Sequence, residues 1–168
     1  MVEKSGMAEK SPGKEFLEVA IEIERNGFNF YESVARRGLN KEIKDIFTQL
    51  AGKEKEHEHT FRDMLTHIGG YVAEHPCANY QYVRSVADSN VFTQEQARTL
   101  MAKDITTDIE AAEIGINFEK ESILLYSEIR GMVPQADQNI IDMITNEEKK
   151  HLSELMYLVN RLKSGARI

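Results

Sequence analysis

The sequence contains three pairs in which a histidine lies three residues after a glutamate. The pairs are Glu54 with His57, Glu56 with His59, and Glu148 with His151. Residues three apart share one face of a helix, so each pair could offer a carboxylate and an imidazole to one metal ion. These ligands suit iron or manganese rather than copper. A single pair is a weak indication, and its meaning depends on the helix face that it occupies.

The first two pairs overlap within a predicted helix over residues 41–68 and lie on opposite faces of it. Steps of four and three residues trace a stripe that is large and apolar except at two central positions: Ile43, Phe47, Leu50, Glu54, His57, Phe61, Met64 and Ile68. Such a stripe faces the core of a helical bundle. At about 100° per residue, Glu56 and His59 are rotated by about 200° from this stripe, onto the solvent-exposed face. A buried site is therefore predicted to contain Glu54 and His57.

Three further helices are predicted, over residues 14–37, 107–131 and 135–163, each ending close to a glycine. The last helix repeats the apolar stripe around Glu148 and His151. The other two helices each carry one glutamate on the stripe and a tyrosine seven residues later. These residues are Glu24 with Tyr31 and Glu119 with Tyr126. The chain is therefore predicted to consist of two similar halves.

The lengths of the connections predict how the helices are joined. Only a few residues link the first helix to the second and the third to the fourth, so each pair is expected to form an antiparallel hairpin. Residues 71–106 are expected to cross back along the bundle, with a helix from Thr93 to about Lys103. Residues 1–13 are expected to be flexible. The predicted fold is all-α: a four-helix bundle over residues 14–168 with a long crossover between the second and third helices.

Packed face to face, the two hairpins would bring four carboxylates and two imidazoles to one level of the core. A lone glutamate on an apolar face is often a helix-edge residue or the partner of an arginine, and a lone histidine or tyrosine is often an ordinary core residue. For the whole set this explanation is poor, because buried carboxylates are costly unless they are neutralised. No Lys or Arg lies near them on the stripes. Two divalent cations would supply four positive charges, as in dinuclear carboxylate sites of helical bundles.

These motifs resemble those of the ferritin-like diiron proteins, and within them the rubrerythrin family, in a branch that lacks a rubredoxin domain. The resemblance extends over residues 14–163 and rests on the segments ERNGFNFY, EKEH, EKESILLY and EKKH. It implies two iron ions, which manganese or another divalent metal could replace. The implied ligands are Glu54 and Glu148 as bridges, Glu24 and His57 on one ion, and Glu119 and His151 on the other. The resemblance also implies that Tyr31 and Tyr126 donate hydrogen bonds to ligand carboxylates.

The same resemblance implies a non-haem diiron oxidoreductase that reacts with peroxide or O2 and acts against oxidative stress. Cys77 stands alone, without the paired Cys-x-x-Cys motifs of a rubredoxin module. The electrons are therefore expected from another protein, such as a rubredoxin-like donor, or from a small molecule. Peroxide-reducing rubrerythrins carry another glutamate three residues after the third-helix ligand, where this chain has Ser122. The six-ligand set is closer to the ferroxidase centre of bacterioferritin. Iron oxidation and storage, or metal binding without redox chemistry, are the alternatives, and a homodimer is expected.

The composition excludes several classes of function. A chain of 168 residues with a net charge of −7 does not favour nucleic acid or an anionic membrane as a partner. One cysteine cannot form an internal disulfide. The first fifteen residues are polar, unlike a signal peptide, and no apolar run approaches the ~18 residues that a membrane helix needs. A cytoplasmic location is expected.

Overall fold

Four long helices account for most of the residues that the structure describes, which are 12–37, 40–68 and 107–164. In this computed structural model the helices are α1 (Pro12–Arg36), α2 (Lys41–Ile68), α3 (Asp108–Ile129) and α4 (Gln135–Lys163). One turn of 3₁₀-helix, Arg130–Met132, follows α3. These three described ranges contain no strand. The prediction of an all-α fold is confirmed.

Two helix ends differ from the prediction. α1 begins at Pro12, inside the segment predicted to be flexible, because proline fits the first turn of a helix, where its missing N–H is not needed. A Cβ atom on Gly13 would clash with the carbonyl oxygen of Met132, so the start of α1 lies directly against the 3₁₀ turn. α3 ends at Ile129 rather than at residue 131, because the chain tightens into that turn.

Polar side chains fix the start of two helices. At α2, Oδ1 of Asn40 accepts hydrogen bonds from the backbone N–H groups of Glu42, at 2.8 Å, and Ile43, at 3.4 Å. At α3, Oγ1 of Thr107 accepts a hydrogen bond from the N–H group of Glu110 at 3.1 Å. Each cap satisfies backbone donors that have no partner inside the helix. The caps therefore help to fix the residue at which α2 and α3 each begin.

The helices pack as two hairpins around one apolar core. α1 packs along α2 and α3 along α4, as their short connections predict, and the hairpins meet through α1 against α3 and α2 against α4. Aromatic rings fill the core at the level of the tyrosines. The ring of Tyr31 lies 5.8 Å from that of Phe47 and 5.9 Å from that of Phe118, and the ring of Tyr126 lies 5.0 Å from that of Phe61. This packing holds both tyrosines in fixed positions beside the carboxylates.

The predicted crossover at 71–106, including the helix expected from Thr93 to Lys103, lies outside the described residues, as do residues 1–11. Among the helices that the structure describes, none combines the length and the apolar character required to span a membrane.

Candidate metal centre

The six residues predicted to bind metal come together in the middle of the bundle. α1 contributes Glu24, α2 contributes Glu54 and His57, α3 contributes Glu119, and α4 contributes Glu148 and His151. The four glutamates are at most 4% exposed and the two histidines at most 7%. Charged side chains are almost never buried to this extent without a partner. The cluster therefore requires compensating positive charge.

The six side chains form two overlapping groups of four, and each group could surround one ion. The groups are Glu24, Glu54, His57 and Glu148, and Glu54, Glu119, Glu148 and His151. In each group, one potential ligand atom from every residue lies within 4.8 Å of the others. Glu54 and Glu148 belong to both groups. They therefore occupy the position between two candidate ion sites.

Both histidines turn Nδ1 toward the carboxylates. Nδ1 of His57 lies 2.8 Å from Oε1 of Glu148 and 3.7 Å from Oε2 of Glu24. Nδ1 of His151 lies 3.1 Å from Oε2 of Glu148 and 3.8 Å from Oε2 of Glu119. The two imidazole rings are 5.9 Å apart and 24° from parallel. They flank Glu148, one ring at each of its carboxylate oxygens.

Several buried polar atoms of the cluster have no hydrogen-bond partner. They are Oε2 of Glu24, Oε1 of Glu54, Nδ1 of His57 and Oε1 of Glu148. The last two atoms lie 2.8 Å apart, close enough for an ion pair but without the alignment of a hydrogen bond. Buried polar atoms without a partner are costly. All four atoms belong to residues of the same group of potential ligands, where a bound cation would give them a partner.

The two tyrosines connect the halves in a crossed arrangement. The hydroxyl of Tyr31 on α1 donates to Oε1 of Glu119 on α3 at 2.5 Å, and the hydroxyl of Tyr126 on α3 donates to Oε1 of Glu24 on α1. Burial, with the neighbouring carboxylates adding to it, raises the pKa of both phenols well above the usual value. Both tyrosines therefore remain neutral donors. In each glutamate the other oxygen is the one that faces a histidine.

Burial raises the pKa of three of the four carboxyl groups. For Glu24, Glu54 and Glu119 the loss of solvent is the main cause, and repulsion from neighbouring carboxylates adds to it. Burial acts in the same direction on Glu148, but the hydrogen bond with His151 and the close positive charge of His57 outweigh it and hold the pKa of Glu148 well below the usual value. Without metal, the cluster therefore reduces its negative charge by keeping protons on some of its carboxyl groups.

The histidines carry part of the compensating charge in the metal-free protein. Burial lowers the pKa of each imidazole, but the adjoining carboxylates more than offset this effect. The pKa of His57 is raised to about 9, chiefly by Glu148, and that of His151 to about 10, by Glu119 and Glu148. At neutral pH both rings are therefore protonated when no metal is bound.

One contact of the site was not predicted from the sequence. Oε2 of Glu147, a half-buried residue of α4, lies 3.1 Å from Nε2 of His57, and this hydrogen bond lowers the pKa of Glu147. Nζ of Lys53 lies 3.9 Å from the same oxygen and 2.8 Å from Oε2 of Glu56. Because Glu147 is outside the apolar stripe, periodicity could not identify it. Its position directly before Glu148 is the only signal in the sequence.

Two glycines, also missed at the sequence level, leave space beside the cluster. A Cβ atom on Gly27 would lie 2.8 Å from Oε2 of Glu54. A Cβ atom on Gly115 would lie 2.9 Å from Cδ1 of Leu155 and 3.2 Å from the ring of Tyr31. Absence of a side chain at these positions therefore allows Glu54 and Tyr31 to occupy their places.

The overlapping pair on α2 lies on the opposite face of the helix. The side chains of Glu56 and His59 are 67% and 77% exposed. Glu56 pairs with Lys53, and Nε2 of His59 lies 3.5 Å from Oδ2 of Asp63. Neither residue belongs to a group of potential metal ligands among the residues described.

Comparisons with known proteins agree with this geometry. The family model for rubrerythrin matches residues 15–159. A solved structure from Thermotoga maritima, provisionally described as a ferritin-like diiron-carboxylate protein, is 26% identical in sequence, with a TM-score of 0.66. That similarity covers 88% of this chain and 94% of the Thermotoga chain. No curated protein matches the chain. The predicted ferritin-like bundle is confirmed, and the chain belongs to the rubrerythrin family.

Proposed function

We propose that the buried cluster binds two iron ions and that the protein is an oxidoreductase that reacts with peroxide or O2. The observation that carries the proposal is the pair of overlapping ligand groups that share Glu54 and Glu148. The proposed ligands follow from these groups: Glu24 and His57 for one ion, Glu119 and His151 for the other, and the two shared glutamates as bridges. This is the arrangement of dinuclear carboxylate sites in helical bundles.

The charge of the cluster fits two divalent cations. Four carboxylates carry four negative charges when ionised, and no Lys or Arg within 12–37, 40–68 or 107–164 forms an ion pair with any of them. Two divalent ions would replace the protons that otherwise reside on the buried carboxyl and imidazole groups. They would also bind the four polar atoms that have no hydrogen-bond partner. Oxygen and imidazole ligands suit iron and manganese.

The protein's part in the reaction is to hold the ions, to exclude water and to orient the ligands. When bound as Fe²⁺, two ions supply the two electrons that, with two protons from solvent, reduce hydrogen peroxide to two waters. Tyr31 and Tyr126 keep one oxygen of Glu119 and of Glu24 in a hydrogen bond and leave the other free to bind metal. Their neutral phenol groups donate hydrogen bonds to two of the carboxylates, and this position makes them candidates for a catalytic role.

The oxidised ions must be reduced again by an external donor. A rubredoxin-like protein or a small reductase is proposed, because a single cysteine cannot form a Cys-x-x-Cys iron site within the sequence. We also propose a homodimer. Light scattering on the purified chain tests this state, since a dimer corresponds to twice the chain mass of 19.2 kDa.

Ferroxidase activity with iron storage is the second candidate. The observation that favours it is Ser122, a buried serine three residues after Glu119 on α3. A seventh carboxylate at this position would resemble the peroxide-reducing rubrerythrins, whereas six ligands resemble the bacterioferritin ferroxidase centre. A large cage-like particle in light scattering would support storage and would contradict the peroxide-reducing proposal.

Two measurements test the proposed chemistry. Metal analysis of protein purified without added metal should find iron at about two ions per chain. Hydrogen peroxide added to the anaerobic ferrous protein should then produce near-ultraviolet absorption from oxidised iron. Bound iron without any absorbance change would contradict both redox functions and favour a metal without a redox role. Protein that binds no metal would overturn the proposal entirely.

A further inference from the structure

The two halves of the cluster differ in the residue that precedes each shared glutamate. The shared glutamate of α2 is preceded by Lys53, whereas the shared glutamate of α4 is preceded by Glu147. Every proposed ligand has a counterpart of the same type in the other half, and so do the two tyrosines. At this pair of positions, a cation in the first half replaces a carboxylate in the second.

The carboxylate of Glu147 contacts the outer nitrogen of His57. Its Oε2 lies 3.1 Å from Nε2, while Nδ1 of the same ring points into the cluster, 2.8 Å from Glu148. A carboxylate can only accept a hydrogen bond, so Nε2 is the protonated nitrogen when the imidazole is neutral. The lone pair of the neutral ring is then on Nδ1, the atom that faces the ion site. Glu147 therefore fixes the tautomer that metal binding requires.

His151 has a different outer environment. Its Nδ1 also faces the carboxylates, but the residue that corresponds to Glu147 is Lys53, whose ammonium group cannot accept a hydrogen bond. Among the described residues, no hydrogen bond or ion pair involves Nε2 of His151. Within the part of the chain that the structure describes, the imidazole of His151 is therefore held only through Nδ1.

From this difference we infer that Glu147 is a positioning residue that makes the two ion sites unequal, so that the site formed with Glu24 and His57 binds metal more tightly. The inference rests on the ligand set of the proposed function. A carboxylate that accepts a hydrogen bond from a ligand histidine orients the ring and increases its basicity, and loss of such a partner costs about 10- to 100-fold in metal affinity. The first ion should therefore bind beside His57.

The test is titration of the full-length metal-free protein with Co²⁺, which has visible absorption and does not react with the oxidant. The wild type should bind two ions in two steps of different affinity. His151→Ala should keep the tight step and His57→Ala the weak one. Glu147→Ala should weaken binding by about 10- to 100-fold in the His151→Ala background and leave the His57→Ala background unchanged. Glu154→Ala, which removes an exposed carboxylate of the same helix, is the matched control.

A second pair of substitutions, matched in charge, provides an independent test. Glu147→Lys should remove most of the difference between the two steps, because an ammonium group cannot accept the hydrogen bond from Nε2 of His57. Glu154→Lys makes the same change of charge at an exposed position of α4 and should leave both steps unchanged. Circular dichroism establishes that each variant is folded. Two equal steps in the wild type, or equal effects of Glu147→Lys and Glu154→Lys, would overturn the inference while leaving two-metal binding intact. A wild type that binds no Co²⁺ and no Fe²⁺ would instead overturn the proposed function.

Discussion

Two overlapping Glu-x-x-His pairs on α2 have the same residue types and the same spacing but entirely different surroundings. Glu54 and His57 are each 4% exposed and lie among the carboxylates of three other helices. Glu56 and His59 lie mainly in solvent and pair with ordinary surface charges. In solvent a carboxylate is already hydrated, so a metal ion gains little by replacing water. In the core the same group has lost its hydration, so a bound cation lowers its free energy much more. Burial therefore determines which pair can act as a metal site.

The largest expected effect separates the two pairs directly. Glu54→Ala should lose bound metal, since it removes a carboxylate common to both ligand groups, and Glu148→Ala should do the same. Glu56→Ala should leave the metal content unchanged, because this side chain is exposed and contacts Lys53 instead. Elemental analysis of the three purified variants measures the difference. If Glu56→Ala empties the site and Glu54→Ala does not, the assignment of the buried pair is wrong.

The buried pair could be identified from the sequence because helical periodicity reports burial directly. Leu50 and Phe61 place Glu54 and His57 on an apolar stripe, and no tertiary information is needed for that step. The repeat in α4 then predicts a partner for them. Which hydroxyl meets which carboxylate depends on how the hairpins pack. The crossed contact of Tyr126 with Glu24 therefore became visible only in the structure.

The pH dependence of metal binding is the second test of the buried pair. The pKa of His57 is raised to about 9 and that of His151 to about 10, so both imidazoles hold a proton at pH 7 in the metal-free protein. Metal ions bind the deprotonated ring, and binding at pH 7 must therefore release protons. Affinity should rise with pH until about pH 9–10 and fall in acid. Calorimetry in two buffers of different ionisation enthalpy counts these protons, and identical heats in both would contradict the prediction.

Removal of a tyrosine hydroxyl should have a smaller effect that is confined to the buried site. Tyr126→Phe leaves Oε1 of Glu24 without its donor, and Tyr31→Phe does the same to Glu119. Loss of such a hydrogen bond to a metal ligand lowers metal affinity by about 10- to 100-fold. Tyr157→Phe is the control, because that side chain is exposed. Titration of the three metal-free proteins with Fe²⁺ under anaerobic conditions gives the comparison. Equal affinity in all three would show that the tyrosines are ordinary core residues.

The contacts of Glu147 and Gly27 with the cluster could not be predicted from the sequence. Both act on the site through the relative placement of two helices: Glu147 from α4 on His57 of α2, and Gly27 from α1 beside Glu54 of α2. A stripe defines the face of one helix and contains no information on which residue lies opposite. The candidate ligands on the stripes could therefore be predicted from the sequence, whereas the contacts between helices are seen only in the structure.

The smallest expected effect comes from replacing a glycine by alanine, either on the exposed face of a helix or beside the buried cluster. A Cβ atom on Gly52, on the exposed face of α2, would meet no atom within 4 Å, whereas one on Gly27 would lie 2.8 Å from Oε2 of Glu54. Glycine inside a helix costs roughly 0.5–1 kcal/mol relative to alanine. Gly52→Ala should therefore raise the free energy of unfolding by about that amount and leave metal affinity unchanged.

Gly27→Ala gains the same helix propensity but displaces the carboxylate of Glu54, which other members of the cluster surround. We expect it to give less stabilisation than Gly52→Ala and, in addition, to weaken metal binding. Urea unfolding of the metal-free proteins measures the first quantity, and titration with Fe²⁺ measures the second. Equal metal affinity for the two variants would mean that Glu54 can move aside without loss, and that the space left by Gly27 is not needed for the ligand position proposed for Glu54.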